Sequence, residues 1–393
     1  MIMPGFPTNG NGVRTLLVVG TRPEAIKMAP VIQACAEPRS GVDPVICFTG
    51  QHREMLAQVA DYFGIEADYN LDLMRANQTL TSLTASCLTA LDETVEKSQP
   101  ECVVAQGDTT TVLCASMVAF YRRLPFIHVE AGLRTHNLYS PWPEEFNRRV
   151  GGLTAGVHCA PTERSANNLR KEGVAESSIH VTGNTVIDAL LWTVERERQR
   201  DQQWVQKYSM VDGRRMVLIT GHRRENFGPK FESVCTALRN MALEFPETVF
   251  LYPMHLNPNV REPVLRILGG LDNVHLCEPA AYPEFVWLMD RATLIITDSG
   301  GVQEEAPSLG KPVLVTRDTT ERPEAVDSGV VELVGTSTEQ IVNRATMLLT
   351  DADEYARRQS PQNPYGDGKA SGRIADLLAN RAWEERETQR VAA

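Results

Sequence analysis

The stretch RTLLVVGTRPEAIKMAP, residues 14–30, decides the fold because an apolar strand passes through one glycine into a helix. Its first part, RTLLVV (14–19), is rich in Leu and Val and is typical of a strand buried on both faces of a parallel sheet. Gly20 ends this strand, and Pro23 followed by Glu24 is common in the first turn of a helix. The stretch therefore predicts the strand–turn–helix unit from which α/β folds are built.

The same unit recurs along the chain in two successive series. The first series predicts strands at 14–19, 43–48, 101–106, 125–130, 156–160 and 178–182. The second series predicts strands at 214–220, 248–253, 273–278, 292–297, 312–316 and 330–334. Helix-length segments separate the strands, so each series predicts a doubly wound, Rossmann-like α/β domain with a parallel sheet covered on both faces. We expect domains at 1–183 and 184–368, a hinge near Gly183 and a last amphipathic helix at 369–386.

Composition excludes several classes of protein. The chain has 393 residues, of which 42% are hydrophobic and 23% charged, as in soluble globular proteins. The formal net charge of −11 argues against a nucleic-acid-binding protein. No apolar run reaches membrane-spanning length, so we expect no membrane partner. The 8 cysteines are scattered without CxxC spacing, which predicts reduced core residues of a cytoplasmic protein and no metal site.

Chemically reactive residues concentrate directly after the predicted strands. In open α/β sheets ligands bind beyond the carboxyl ends of the strands, so these loops predict a central cleft between the two domains. The loops at the opposite ends of the strands carry few such residues. The loops after the strands are GTRPEA (20–25), TGQHRE (49–54), QGDTTT (106–111), EAGLRT (130–135), TGHRREN (220–226), MHLNP (254–258), EPAAY (278–282), TDSGGVQEE (297–305) and TRDTTERPE (316–324).

Two of these loops are typical of nucleotide or sugar binding. Arg22, Lys27 and the free N–H groups of the first helical turn would hold a phosphate or a sugar. The loop lacks both GxGxxG and GK[ST], and it is equally an ordinary helix start. In the loop TDSGG, Ser299, Gly300 and Gly301 form a turn through which the backbone approaches a diphosphate closely.

Side chains near the second of these loops extend the same prediction. Glu305 is placed to accept the hydroxyls of a ribose, or it merely complements the helix dipole. Arg322 adds a cation from the loop TRDTTERPE, which is otherwise a polar loop. His222 follows another strand beside two arginines, and we expect it to bind phosphate or to protonate a leaving group.

Several carboxylates point to proton chemistry in IHVEAGLRTHNLYSPWPEEFNRR (127–149) and in QGDTTT. Asp108 ends a strand and is either a helix N-cap or a catalytic acid or base. Glu144 and Arg148 lie four apart on one helix, which by itself is an exposed ion pair worth about 0.5 kcal/mol or less. Acids gathered with Glu130 around one cleft would repel each other and raise a pKa, which gives one acid and one base.

Together these stretches resemble the non-hydrolysing UDP-N-acetylglucosamine 2-epimerases over roughly Arg14 to Asn380. The resemblance is specific because ten motifs occur in the order found in that family. They are GTRPEAIKMAP, GQHREM, QGDTTT, HVEAGLRT, SPWPEEFNRR, VTGNT, HRREN, HLNP, DSGGVQEEAPSLGKPVL and RDTTERPEA. The resemblance implies the two-domain fold shared with glycosyltransferase-B enzymes, a homodimer, and a C-terminal helix that packs back on the first domain.

The resemblance also implies roles for individual residues. Asp108, Glu130 and Glu144 match the catalytic carboxylates of the family, without a division into acid and base, and Arg148 and His222 belong to the same catalytic group. The residues that match its substrate contacts are Arg22, Lys27, Ser299, Gly300 and Glu305. In bacterial members a second UDP-N-acetylglucosamine activates the enzyme, and Gln51 and His255 resemble part of that region.

The reaction that the resemblance implies is reversible epimerisation at C2 of UDP-N-acetylglucosamine to UDP-N-acetylmannosamine. UDP is eliminated and re-added through a 2-acetamidoglucal, without a cofactor, and the product supplies cell-surface polysaccharide. Three other functions fit the same scaffold. They are a glycosyltransferase that needs an acceptor, a nucleotide-sugar sensor without turnover, and a hydrolysing relative that releases free N-acetylmannosamine and UDP.

Overall fold

The structure is a computed structural model that describes residues 12–50, 53–75, 77–359 and 363–384. By internal contacts the chain divides into two compact units. The first unit comprises residues up to Ala189 together with those from Gly366 onward, and the second comprises Leu190–Tyr365. The chain therefore passes between the units at 189/190, six residues beyond the expected boundary after Gly183, and again at 365/366.

The first unit is a parallel sheet with helices between its strands. Its strands are β1 Val13–Val19, β2 Val42–Phe48, β3 Tyr69–Asn70, β4 Cys102–Gln106, β5 Phe126–Val129, β6 Val157–Ala160 and β7 Ile179–Val181. Its helices are α1 Arg22–Ala36, α2 Arg53–Phe63, α3 Leu80–Ser98, α4 Thr110–Tyr121, α5 Glu144–Thr154, α6 Glu163–Lys171 and the start of α7 Thr185–Arg198.

The strand order of the first sheet, β3-β2-β1-β4-β5-β6-β7, decides where a ligand can bind. The order reverses between β1 and β4, and ligands of doubly wound sheets bind at such a reversal, beyond the carboxyl ends of the strands. Leu16, Val18 and Val103 are buried in the centre of this sheet. The turn after β1 and the turn after β4 therefore lie side by side on a rigid base.

The second unit repeats this architecture. Its helices after α7 are α8 Asp201–Lys207, α9 Pro229–Glu244, α10 Pro258–Leu268, α11 Tyr282–Arg291, α12 Gly300–Glu305, α13 Pro323–Asp327, α14 Thr338–Thr350 and α15 Ala352–Arg358. Its strands are β8 Met216–Thr220, β9 Val249–Pro253, β10 Val274–Cys277, β11 Leu294–Thr297, β12 Val313–Val315 and β13 Val331–Leu333. The order β10-β9-β8-β11-β12-β13 places the reversal between β8 and β11.

The α/β class with two Rossmann-like units is confirmed. Every strand expected from the sequence is present, with ends that differ by one or two residues. The short strand β3 was not expected, because two residues are too few to show a pattern.

The last described helix, α16 Ala370–Ala379, belongs to the first unit and packs against α1. It ends before Asn380, and the residues that follow it form a turn up to Trp383. In the described part of the chain, no helix is both long enough and apolar enough to cross a membrane.

Candidate functional site

Glu130 lies at the carboxyl end of β5 and accepts hydrogen bonds on both carboxylate oxygens. Lys27 Nζ donates to Oε1 at 2.6 Å and to Oε2 at 2.8 Å. Gln106 Nε2 donates to Oε2, and Asn184 Nδ2 donates to Oε1 at 3.1 Å. The residue is only 8% exposed. Its backbone has a left-handed φ of +63°, which is unusual outside glycine and typical of functional positions.

Asp108 follows β4 and is held by a guanidinium. Arg148 donates to Asp108 Oδ2 from Nε at 3.1 Å and also from Nη2. Asn147 Nδ2 donates to the backbone carbonyl of Asp108 at 2.9 Å, so α5 fixes both the side chain and the backbone of this turn. The predicted members Lys27, Asp108, Glu130 and Arg148 therefore lie at one sheet edge as two carboxylate–cation pairs, instead of a group of mutually repelling acids.

The first two residues of α5 are both glutamates, and they have different surroundings. Arg148 contacts Glu145 at 3.3 Å, so the glutamate three positions before this arginine is an ion-pair partner of it. Glu145 is fully buried and accepts the N–H groups of Thr135 at 3.1 Å and His136 at 3.2 Å, which fixes the preceding loop. Glu144 is half-buried, at a helix N-terminus that favours negative charge.

The turn after β1 differs from the expected phosphate-binding turn. Gly20 N–H at 2.6 Å and Thr21 N–H at 2.7 Å both donate to Glu24 Oε2. This is a capping box, in which the side chain at the third helical position satisfies the backbone before the helix. The two N–H groups are therefore occupied, and Lys27 is paired with Glu130. Arg22, the first residue of α1, is half-buried.

Glu24 is a buried titratable group that the sequence did not single out. It is 4% exposed, and Thr109 donates its hydroxyl to Oε1. Burial raises the pKa of Glu24 to about 7, against the opposing effect of its hydrogen bonds, and the charge of Asp108 adds to the rise. Glu24 thus joins the turn after β1 to the turn that carries Asp108.

His128, in β5, is a structural histidine beneath the same edge. Its Nε2 lies 2.7 Å from the carbonyl oxygen of Gly107, which can only accept, so Nε2 carries the proton. Burial lowers the pKa of His128 to about 4, although the hydrogen bond to Gly107 opposes this. A neutral imidazole therefore supports the turn that carries Asp108. Arg134, another member of the opening motif, pairs with Glu172 at 2.7 Å.

In the second unit, the turn after β8 is fixed by a buried carboxylate. Asp298 is 1% exposed and accepts the N–H of His222 at 2.9 Å and of Arg223 at 2.9 Å. The ring of His222 is 42% exposed at the side chain, with Nδ1 3.4 Å from Asp298 Oδ1. Its other neighbour is His255, whose ring stacks on it at 5.7 Å between centroids. Burial lowers the pKa of His222, Asp298 opposes this, and Arg223 and His255 add to it.

The glycine turn after β11 lies beside this histidine. Ser299 N–H donates to Thr297 Oγ1 at 2.9 Å, and Gly300 and Gly301 open α12. A Cβ at Gly300 would lie 3.2 Å from the Arg322 guanidinium carbon, so the guanidinium covers the glycine closely.

The charged side chains around this turn form hydrogen bonds with one another and with a tyrosine. Arg322 Nε donates to Glu304 at 2.7 Å. Glu305, 7% exposed, accepts the hydroxyl of Tyr282 at 3.3 Å. The second unit thus gathers His222, Ser299, Gly300, Gly301, Glu305 and Arg322 at its own reversal of strand order.

Two further expectations concern a regulatory region and metal. Gln51 lies outside the described residues. His255 is described, and it belongs to the same stacked pair as His222. Within the described ranges, no group of three or more His, Cys, Asp or Glu side chains could hold a metal ion.

Comparison with known proteins gives one consistent result. The sequence model of the family described as UDP-N-acetylglucosamine 2-epimerase matches residues 34–379. The UDP-N-acetylglucosamine 2-epimerase of Yersinia pestis is 54% identical over 372 residues, covering 94% of this chain and 99% of the relative. The enzyme of that name from Escherichia coli K12 is 52% identical over 376 residues, with coverages of 94% and 99%.

The solved structures agree with the sequences. The crystal structure of the UDP-GlcNAc 2-epimerase from Neisseria meningitidis bound to UDP-GlcNAc matches with a TM-score of 0.85 and 47% identity. That match covers 93% of this chain and 99% of the solved chain. The family expected from the motifs is therefore confirmed: the chain belongs to the UDP-N-acetylglucosamine 2-epimerase family.

Proposed function

We propose that this chain interconverts UDP-N-acetylglucosamine and UDP-N-acetylmannosamine by inverting C2. The observation that carries the proposal is the pair of carboxylates Asp108 and Glu130, held with the cations Arg148 and Lys27 at one sheet edge. Bacterial relatives more than 50% identical to the chain are named for this activity. A similar structure was solved with UDP-GlcNAc bound, which supports the same substrate here.

The mechanism we propose is elimination and re-addition of UDP. The C2 hydrogen is not acidic, because no neighbouring carbonyl stabilises a carbanion. A carboxylate takes the C2 proton, the C–H electron pair forms the C1=C2 bond of 2-acetamidoglucal, and the C1–O pair leaves with UDP. A second carboxylate then delivers a proton to the opposite face of C2, and UDP returns to C1. The steps balance without oxidant, reductant or metal, so we propose no cofactor.

The proton carriers in this proposal come from Asp108, Glu130 and Glu144. Each lies beside a cation or at a helix N-terminus, which favours the ionised form that accepts the C2 proton. The carboxyl group that returns a proton to C2 enters the reaction protonated. Arg148 and Lys27 hold their carboxylates in fixed orientations, and a fixed orientation is what proton transfer at a carbon centre needs.

The second unit supplies the nucleotide site in this proposal. Ser299, Gly300 and Gly301 let the backbone approach the diphosphate, and Arg322 adds positive charge beside them. The buried carboxylate of Glu305 accepts ribose hydroxyls. His222 and Arg22 stabilise the charge that develops on UDP as the C1–O bond breaks.

The test is turnover of UDP-N-acetylglucosamine alone by protein treated with chelator and charcoal, followed by proton and phosphorus NMR. We expect an equilibrium mixture with UDP-N-acetylmannosamine. Free N-acetylmannosamine with UDP would indicate a hydrolase, and product only after an acceptor is added would indicate a transferase. Saturable binding without turnover would indicate a sensor. An absolute need for nicotinamide or metal would contradict the mechanism.

We propose that a second molecule of UDP-N-acetylglucosamine activates the enzyme and that it binds in the region of His255. The ring stacks on His222 with an interplanar angle of 23°, so a ligand that contacts His255 also orients His222. Initial rates from UDP-N-acetylmannosamine, with and without a trace of UDP-N-acetylglucosamine, test this role. Activation that persists in His255→Ala would contradict it.

A homodimer is proposed through the first unit. Phe120 and Tyr121 end α4 and are 63% and 68% exposed, and Leu153 near the end of α5 is 82% exposed. Both helices run back from the carboxyl edge of the sheet and pack on each other, so their ends form one apolar surface. Light scattering should give a dimer for the wild type and a monomer for Leu153→Asp. A monomeric wild type would contradict the proposal.

The place of the product is also part of the proposal. UDP-N-acetylmannosamine is an activated amino sugar, which a glycosyl-transfer reaction can add to a cell-surface polysaccharide. The organisms named for these relatives, Yersinia pestis and Escherichia coli, are bacteria.

A further inference from the structure

Asn184 uses both ends of its side-chain amide. It is 3% exposed and directly precedes α7. Its Oδ1 accepts the N–H of Val186 at 3.1 Å, and its Nδ2 donates to Glu130 Oε1 at 3.1 Å. One side chain therefore fixes the start of a helix and one oxygen of a candidate catalytic carboxylate.

Helix capping, the ordinary function of an Asn at this position, explains the contact of Oδ1 but not the contact of Nδ2. Asn is a common N-cap, and Asp or Ser would accept the same backbone N–H about as well. Neither of them would donate to Glu130 as the amide does, because an ionised Asp has no proton and a Ser hydroxyl is shorter. Helix capping accounts for the hydrogen bond that Asn184 Oδ1 accepts. The hydrogen bond that Nδ2 donates to Glu130 accounts for the amide nitrogen.

Asn184 also lies close to both positions at which the chain passes between the two units. The chain leaves the first unit after Ala189, five residues beyond Asn184, and returns at Gly366. A Cβ at Gly366 would lie 3.4 Å from the backbone nitrogen of Asn184 and 3.5 Å from the Cα of Gly183. The backbone of Gly366 therefore lies next to the backbone of Gly183 and Asn184, within the first unit.

We propose that Asn184 is a positioning residue for proton transfer by Glu130. Together with Lys27 and Gln106 it fixes the orientation of the Glu130 carboxylate. The inference rests on the epimerase activity proposed above.

The decisive variant is Asn184→Asp, which keeps the helix cap and replaces the donor with a second carboxylate. Like charges disfavour ionisation, so proton binding by the pair becomes stronger. We expect the limb of the kcat profile that reports Glu130, the acid limb if Glu130 is the base and the alkaline limb if it is the acid, to move to higher pH by about one unit or more, with KM for UDP-N-acetylglucosamine unchanged. A residue that only caps α7 would leave this profile unmoved.

Two further variants make the experiment complete. Asn167→Asp adds the same charge on α6, where the side chain is exposed and accepts from Arg170 at 2.8 Å, and its profile should match the wild type. Asn184→Ser keeps a capping oxygen and loses the donor. It should lower kcat about tenfold, the scale of one hydrogen bond to a charged group, without moving the Glu130 limb of the profile upward.

The outcomes separate this inference from the proposed function. No turnover by the wild type would remove both. An active wild type with superimposable profiles for the wild type and Asn184→Asp would overturn the positioning role alone. If Asn184→Asp does not fold, Asn184→Ser decides: a lower kcat at unchanged KM supports the inference, and an unchanged kcat overturns it.

Discussion

The two units use one structural device with different chemical results. In each, a buried carboxylate accepts two successive backbone N–H groups in the turn after the first strand. Glu24 accepts those of Gly20 and Thr21, and Asp298 accepts those of His222 and Arg223. The turn is thereby rigid in both units. The side chains mounted on it differ, so the shared topology fixes a position and the local sequence decides its chemistry.

The difference is clearest one strand further along each sheet. The first unit follows β4 with Asp108, paired with Arg148, and follows β5 with Glu130, paired with Lys27. The second unit follows β11 with a glycine turn covered by Arg322. We infer that proton transfer belongs to the first unit and nucleotide binding to the second, and this division can be tested by variants on each side.

Asp108→Asn should have the largest effect. Loss of a positioned acid or base typically slows a reaction about a hundredfold or more, so kcat should fall by at least that factor. UDP binding should change little, because most of the nucleotide contacts that we propose belong to the second unit and Asp108 is not among them. Steady-state kinetics and calorimetric titration with UDP measure the two quantities.

The matched control for this variant is Asp43→Asn. Asp43 is also paired with an arginine, Arg14 at 2.7 Å, but at the amino ends of the strands. It should retain wild-type kcat. Equal losses of kcat in both variants would mean that the Asp108 effect is structural.

Titration of Glu24 should have the next largest effect, on stability. Its folded-state pKa of about 7 exceeds the ordinary 4.5, so the folded protein binds this proton more tightly than the unfolded chain does. Its contribution is fully present below pH 4.5 and is lost as pH rises to about 7. The free energy of unfolding of the wild type, relative to Glu24→Gln, should fall by roughly 2–3 kcal/mol across that window.

Urea unfolding at a series of pH values measures this difference. Glu37→Gln removes an exposed carboxyl beyond the end of the same helix and is the matched control for loss of a charge. His128 acts in the opposite direction: its pKa of about 4 lies below the ordinary 6.5, so its contribution is lost as pH falls from 6.5 to 4. A flat difference for Glu24→Gln would contradict the raised pKa.

Gly300→Ala should have the smallest effect, and it should act on binding. The new methyl would lie 3.2 Å from the Arg322 guanidinium carbon and would displace this cation from the turn. We expect the Kd for UDP to rise about tenfold, which corresponds to about 1.4 kcal/mol, with kcat changed less. Gly301→Ala is the comparison, because its methyl has no heavy atom closer than 3.8 Å, and its Kd should rise less. A larger rise for Gly301→Ala would show that Arg322 is not the group displaced.

The sequence predicts the fold well because each buried strand is a continuous apolar run closed by a loop. It also predicts which residues lie at the carboxyl edges, since those residues follow the strands directly. It does not predict their pairing. Lys27 and Glu130 are 103 positions apart, and only the order of the strands brings them together.

The contacts that the sequence does not predict belong to residues whose local position already accounts for their presence. Glu24 fits a helix capping box, so its burial and its contact with Thr109 had no separate signal. Asn184 fits a hinge because it follows Gly183, and its contact with Glu130, 54 positions away, is not visible in the sequence. Both residues have a local function that the sequence shows, and both also contact a distant residue that the sequence does not show.

The central claim is that carboxylates of the first unit remove the C2 proton and return a proton to the other face. Proton NMR of product formed from UDP-N-acetylglucosamine in D2O tests this directly. We predict deuterium at C2 of the product, with both epimerisation and deuterium incorporation slowed about a hundredfold or more in Asp108→Asn and Glu144→Gln. Product that retains its original C2 hydrogen, or full activity in both variants, would contradict the account.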